Sequence, residues 1–136
     1  MDASSAATGV SWLAVVVAAF LTFVLGGLWY GPLFGKPWMR ASGVTEEAAR
    51  TGNMPLIFGL SFLLQLLAAF SLDMFIGDGG ARFGVFAGSM TGIFFVATAL
   101  GVVYLFERRP LAHWVLNAGY HIVSFTMMGA ILGAWG

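Results

Sequence analysis

Four apolar runs, each about the length that crosses a lipid bilayer, constrain this chain more than any other feature. They cover residues 10–30, 56–76, 83–106 and 111–135. An α-helix rises about 1.5 Å per residue, so roughly 20 residues span the hydrocarbon core. Because lipid offers no hydrogen bonds to the backbone, each run must be helical. With 60% hydrophobic and 9% charged residues, the sequence predicts an all-α polytopic membrane protein, one domain over 1–136 built as a bundle of four transmembrane helices.

The first and second runs are joined by one long connection, residues 31–55. Pro32 cannot continue a helix, so the first span is expected to end just before it. Within the connection we expect two short helices, one starting at Pro37 and ending at Gly43, the other capped by Thr45. This segment is expected to lie on the membrane surface, while the other two connections are short turns.

Cations and aromatic residues give the expected orientation. One side of the membrane would hold Lys36, Arg40, Arg50, Arg108 and Arg109, and the other only Arg82. The positive-inside rule then places both termini outside the cytoplasm. The first exit from the membrane should be an interfacial anchor made of Trp29, Tyr30, Lys36, Trp38 and Arg40. Specific binding of an anionic lipid at this loop is the alternative to simple anchoring.

The same region carries a family resemblance. The run LWYGPLFGKPWM, residues 28–39, with the following surface loop and three further spans, resembles the uncharacterised bacterial integral-membrane family known as domain of unknown function 1761. The resemblance implies a small four-span protein of the bacterial inner membrane with no assigned activity. It carries over no catalytic or binding residue.

Polar residues inside the fourth run mark the candidate site. At helical spacing, one stripe contains His113, Asn117, Tyr120, His121 and Ser124. Polar groups facing lipid are costly, so the stripe should face protein or a hydrated cavity. Two interpretations remain open: hydrogen bonds that lock the helices together, or solute binding and proton transfer.

Other spans offer polar partners for this stripe. The membrane midplane is expected to hold Gln65 and Thr91 together with His121. Asp73 lies near the non-cytoplasmic end of the second run. It is expected to reach water or to pair with Arg82, and the alternative is a point where ions enter the membrane.

Small residues predict where helices approach closely. The third run has Gly84, Gly88 and Gly92 at four-residue steps, and the fourth has Gly129 and Gly133 on the face opposite its polar stripe. Both patterns are typical of helix packing in membranes. The second pair is expected to contact another subunit.

The absence of cysteine, the net charge and the spacing of the histidines limit the functions that the chain can have. The chain has no cysteine, which excludes thiolate chemistry, and a net charge of zero gives no sign of a nucleic-acid partner. His113 and His121 would lie roughly 12 Å apart on one helix, too far to share a metal, so neither metal nor cofactor is expected. Ser124 lies near His121 but within no catalytic motif, and we therefore expect no enzyme.

Two functions remain. The leading hypothesis is a membrane-embedded packing or assembly protein, a homo-oligomer whose partners include the lipid bilayer. The alternative is a small oligomeric channel or transporter with a polar path along His121, Asn117 and Gln65. A bundle whose polar groups are paired would favour the first, and a continuous hydrated cavity the second.

Overall fold

The computed structural model describes residues 10–135, and all of its regular structure there is helical. Four helices are long and apolar enough to cross a membrane: Trp12–Leu33, Met54–Ile76, Gly80–Phe106 and Leu111–Trp135. We call them the first to fourth spans. The all-α architecture of four transmembrane helices with one long connection is therefore confirmed.

The sequence predicted that the first span ends before Pro32, but in the structure the span continues past this proline. It is an α-helix over Trp12–Leu28 and continues as a π-helix over Trp29–Leu33, with Pro32 inside. The wider turn is closed by the Phe34 N–H, which donates to the carbonyl of Trp29 at 2.8 Å. A proline lacks an N–H and clashes with a carbonyl of the preceding turn, and a π-turn relieves both problems by changing the hydrogen-bond register.

The long connection holds two short helices. The first occupies Gly35–Ser42, so it begins two residues before Pro37, and it ends at Gly43, whose φ of 80° needs glycine. The proline is tolerated because the first N–H groups of a helix have no partner within it. The second helix is Glu46–Thr51, and the Thr45 hydroxyl accepts the backbone N–H three residues on at 3.0 Å.

The next two spans start earlier than expected. The second starts at Met54, because the Asn53 side chain caps it and a proline in the first turn is allowed. The third starts at Gly80 and contains a π-helical stretch, Gly92–Ala97, between two α-helical parts. The fourth occupies Leu111–Trp135, the range expected from the sequence.

The fourth span lies at the centre of the bundle and packs against the other three. Small side chains dominate the buried interface: Ala14, Ala18, Ala19 and Ala69 are completely buried, beside Met128 and Leu132. Large apolar side chains on all four spans face outwards, as expected for a surface in contact with lipid. We call the side with the long connection the loop end, and the side with the Gly77–Gly79 turn the turn end.

The closest packing joins the third and fourth spans through glycine. A Cβ atom added to Gly84 would overlap the backbone of Gly129, and the reverse also holds. Gly133, Gly88 and Gly92 likewise lie against the backbone of the opposite span. The expectation that Gly129 and Gly133 contact a second subunit is therefore wrong, since the third span of the same chain covers that face.

Candidate functional site

Three spans meet through a short chain of hydrogen bonds near the loop end. The Tyr30 hydroxyl, on the first span, donates to Oδ1 of Asn117 at 2.7 Å. The Asn117 amide nitrogen in turn donates to the Tyr104 hydroxyl, on the third span, at 3.0 Å. One amide of the fourth span thus links the first span to the third.

His113 completes this group of polar side chains. Its ring stacks on Tyr104 with the centroids 4.6 Å apart and the planes 12° from parallel. The side chain is buried, and within residues 10–135 its Nδ1 has no hydrogen-bond partner. We call Tyr30, Tyr104, His113 and Asn117 the loop-end cluster. It offers hydroxyl, amide and imidazole groups, which can hold helices together or pass a proton.

A second group lies deeper in the bundle, around Tyr120. The Tyr120 hydroxyl donates to the backbone carbonyl of Thr22 at 3.1 Å and accepts from the Gln65 amide at 3.3 Å. We call Thr22, Gln65 and Tyr120 the midspan cluster, and it ties the first and second spans to the fourth. The ring of Tyr120 also packs edge-on against Tyr30, with the centroids 5.3 Å apart, so the two clusters are in contact.

The expected midplane trio of Gln65, Thr91 and His121 is not brought together by hydrogen bonds. The Thr91 hydroxyl donates to a carbonyl of its own helix at 2.8 Å. His121 is half-buried and packs edge-on against the Tyr120 ring, with the centroids 5.0 Å apart. Ser124 lies in the stripe as expected and is almost completely buried.

Asp73 lies at the turn end and has a different partner from the one expected. Its Oδ2 accepts the backbone N–H of Ser11 at 3.2 Å, and the carboxylate is buried. The expected pairing with Arg82 is therefore wrong. The carboxylate binds the backbone at the start of the first span, because the first N–H groups of a helix lack partners within the helix and carry partial positive charge.

The aromatic pair before Pro32 faces the bundle and not only the interface. The Trp29 indole N–H donates to the carbonyl of Leu116 on the fourth span at 3.0 Å, and Tyr30 belongs to the loop-end cluster. The prediction of an interfacial anchor did not include these contacts with the fourth span. Both side chains are half-buried because the π-helical turn carries them alongside the fourth span.

The other three anchor residues lie on the first loop helix. Trp38 packs edge-on against Tyr30 at 5.5 Å between ring centroids. Lys36 and Arg40 are exposed. Their positions leave both cations at the surface of the loop end.

Tyr104 is the member of these clusters that sequence analysis missed. The sequence did carry a signal for Tyr104, namely a hydroxyl within an apolar span. In the structure all three tyrosines of the chain lie in the two clusters. A hydroxyl within an apolar span needs a partner as much as an amide does. For Thr22 the contact uses the backbone carbonyl, which no side-chain pattern reveals.

No three side chains of His, Asp or Glu in the described part of the chain lie close enough to hold a metal ion. The chemistry available in the clusters is therefore that of neutral hydrogen-bonding groups and one buried imidazole.

The model of a family described as Protein of unknown function (DUF1761) matches residues 13–133, which takes in nearly all of the four spans. No curated protein and no solved structure matches the chain.

Proposed function

The chain belongs to the family described as Protein of unknown function (DUF1761), which assigns no activity, and we propose from the geometry that it is a membrane-embedded packing or assembly protein. One observation carries the proposal: Asn117 and Tyr120 of the fourth span are hydrogen-bonded to the other three spans of the same chain. Groups used in this way stabilise the bundle and are not displayed to a solute.

The energies fit such a role. Hydrogen bonds between membrane helices contribute about 0.6 kcal/mol on average and rarely more than about 1.7 kcal/mol each. Asn117 and Tyr120 take part in four direct hydrogen bonds between helices, and together these bonds add a few kcal/mol to the stability that close helix packing provides. The product is a rigid unit that can hold partners in the membrane.

A non-catalytic role is part of the proposal. Among residues 10–135, no hydrogen bond joins Ser124 to His121, so the hydroxyl has no positioned base there. The nearest catalytic arrangement suggested by the sequence thus lacks its first requirement.

We place the protein in the bacterial inner membrane with its loop end in the cytoplasm and both termini outside. The distribution of cations supports this orientation, since most of them lie at the loop end. On the same side, Lys36 and Arg40 are exposed and suited to anionic lipid headgroups.

Self-association is proposed through the second span. Its first turns at the loop end, residues 55–60, are exposed on all sides, and their main aromatic contact is the edge-on packing of Phe58 on Phe23. A Cβ atom on Gly59 would meet nothing within 4 Å in the described part of the chain, so another helix could approach there. We therefore assign this surface to a second copy of the chain.

Disulfide crosslinking in membranes tests this assignment, and the chain has no cysteine of its own. Gly59→Cys should form a crosslinked dimer, while Val102→Cys, equally exposed on the third span, should not. Equal crosslinking of both variants, or none of either, would show that the second span is not a specific contact.

A channel or transporter is the second candidate, and the observation that favours it is that the buried Nδ1 of His113 and Oγ of Ser124 have no hydrogen-bond partner within residues 10–135. In this alternative His121 changes charge as solute passes. Vesicles containing the parent protein should show no solute or proton flux above lipid alone if the assembly proposal is right. Flux that depends on pH and disappears in His121→Leu would replace it with permeation.

A further inference from the structure

A groove of about 360 Å³ opens between the third and fourth spans at the loop end. Its walls are apolar and aromatic, formed by Gly101, Tyr104, Leu105 and Trp114, and Arg109 lies on its lining. This groove is separate from the exposed cations of the first loop helix. The apolar walls of the groove match the acyl chain of a phospholipid, and the guanidinium of Arg109 at the membrane surface matches its phosphate.

We propose that the groove binds one phospholipid with an anionic headgroup, whose acyl chain lies along the apolar wall and whose phosphate contacts Arg109. Leu105 and Leu111, which line the groove, have exposed fractions of 79% and 72%, so the wall continues into the surrounding lipid. Basic pockets between membrane helices are known to hold such headgroups. The inference requires a bilayer around the spans but does not depend on the assembly role.

The Arg109 side chain is held in position for this contact. Its Nε donates to Glu107 at 3.1 Å and its Nη1 to the carbonyl of Ser42 at 3.3 Å. Within residues 10–135, Nη2 makes no hydrogen bond and remains available to a phosphate oxygen. The next cation along the chain, Arg108, is exposed and does not line the groove.

The shape of the groove depends on one glycine and one fixed indole. The Trp114 indole N–H donates to the carbonyl of Ala97 at 2.9 Å, which fixes the ring against the third span. A Cβ atom on Gly101 would lie 3.2 Å from the Trp114 Nε1, closer than about nine in ten such contacts. Any side chain at position 101 would therefore push against the indole and fill the hollow.

The charge at this place favours an anion. Glu107 balances one of the two adjacent arginines, which leaves one positive charge on the connection between the third and fourth spans. A zwitterionic headgroup would present its own cation to the same surface. Selectivity for an anionic lipid over a zwitterionic one is therefore part of the proposal.

Native mass spectrometry of the full chain in detergent, titrated with phosphatidylglycerol or phosphatidylcholine, measures the retained lipid directly. We expect one phosphatidylglycerol bound more tightly than phosphatidylcholine. Arg109→Gln should remove the phosphate contact and weaken retention by about tenfold, the effect of one lost charged hydrogen bond. Leu105→Trp should fill the groove and weaken retention because the acyl chain is excluded.

Two matched variants act as controls. Leu67→Trp makes the same change at an exposed leucine of the second span, and Arg108→Gln removes the same charge from a residue outside the groove. Neither should change retention. Equal losses in Arg108→Gln and Arg109→Gln, with no loss in Leu105→Trp, would overturn the site in favour of diffuse attraction. Equal retention of the two lipids by the parent protein would overturn the anionic headgroup.

Discussion

Alanine in place of Gly129 should destabilise the protein, while alanine in place of Gly27 should not. At Gly129 the new Cβ would overlap the carbonyl group of Gly84, which belongs to a backbone and cannot rotate away. At Gly27, in the α-helical part of the first span, a Cβ would meet nothing within 4 Å in the described part of the chain. Both changes bring the same gain in helix preference, so the difference between them isolates the helix contact.

The magnitude follows from overpacking. Inserting a methyl group into a tight interface costs about 1–3 kcal/mol and sometimes more, and alanine gains up to about 1 kcal/mol over glycine within a helix. The gain in helix preference is the same in both variants and cancels, so the difference between them is the overpacking cost, and because backbone meets backbone along the Gly84–Gly129 contact we expect about 3 kcal/mol.

Unfolding in mixed micelles of dodecyl maltoside and sodium dodecyl sulfate, followed by circular dichroism, gives the free energy of unfolding of each variant. The double variant Gly84→Ala/Gly129→Ala should lose less than the sum of the single losses, since the first methyl group already separates the helices. If Gly129→Ala is as stable as Gly27→Ala, the close contact between the third and fourth spans does not exist as described.

Three further results are expected. Asn117→Ala removes both bonds of the bridge between the first and third spans, so the free energy of unfolding should fall by about 1–3 kcal/mol in the same micelles; an unchanged value would contradict the bridge. Asp73→Asn keeps an oxygen acceptor for the start of the first span, so it should cost less than Asp73→Leu in that assay, and equal losses would contradict the contact. Of two single cysteines, Ser42→Cys and Asp78→Cys, a reagent confined outside the cell should label only Asp78→Cys, and the reverse pattern would invert the orientation.

The sequence predicted the spans well because every residue of a span in lipid must have its backbone hydrogen bonds satisfied within the helix. The fourth span follows its apolar run closely, and the Thr45 cap fits its local signal. Local signals were misleading where a rarer geometry was available. Pro32 continues the first span because a π-turn replaces the lost hydrogen bond, and Asn53 starts the second span two residues early.

The site was predicted as a stripe on one helix but not as a set of contacts. Periodicity identifies the face that carries Asn117 and Tyr120, yet it gives no information about what another helix brings to that face. Tyr30 was assigned to the interface because it lies beside Trp29 at the end of an apolar run. Tyr30 reaches Asn117 because the π-helical turn packs beside the fourth span, and the sequence gives no sign of that packing.

The bundle has a closed polar interior, and Ser124→Cys tests this most directly. Ser124 is 1% exposed and lies in the polar stripe, cysteine is close to serine in size, and the chain has no other cysteine. In intact protein within vesicles, a small water-soluble thiosulfonate should leave Ser124→Cys unlabelled from either side, while it labels Ser42→Cys or Asp78→Cys rapidly. Labelling of Ser124→Cys at a comparable rate would contradict the closed interior and indicate a hydrated path along the fourth span.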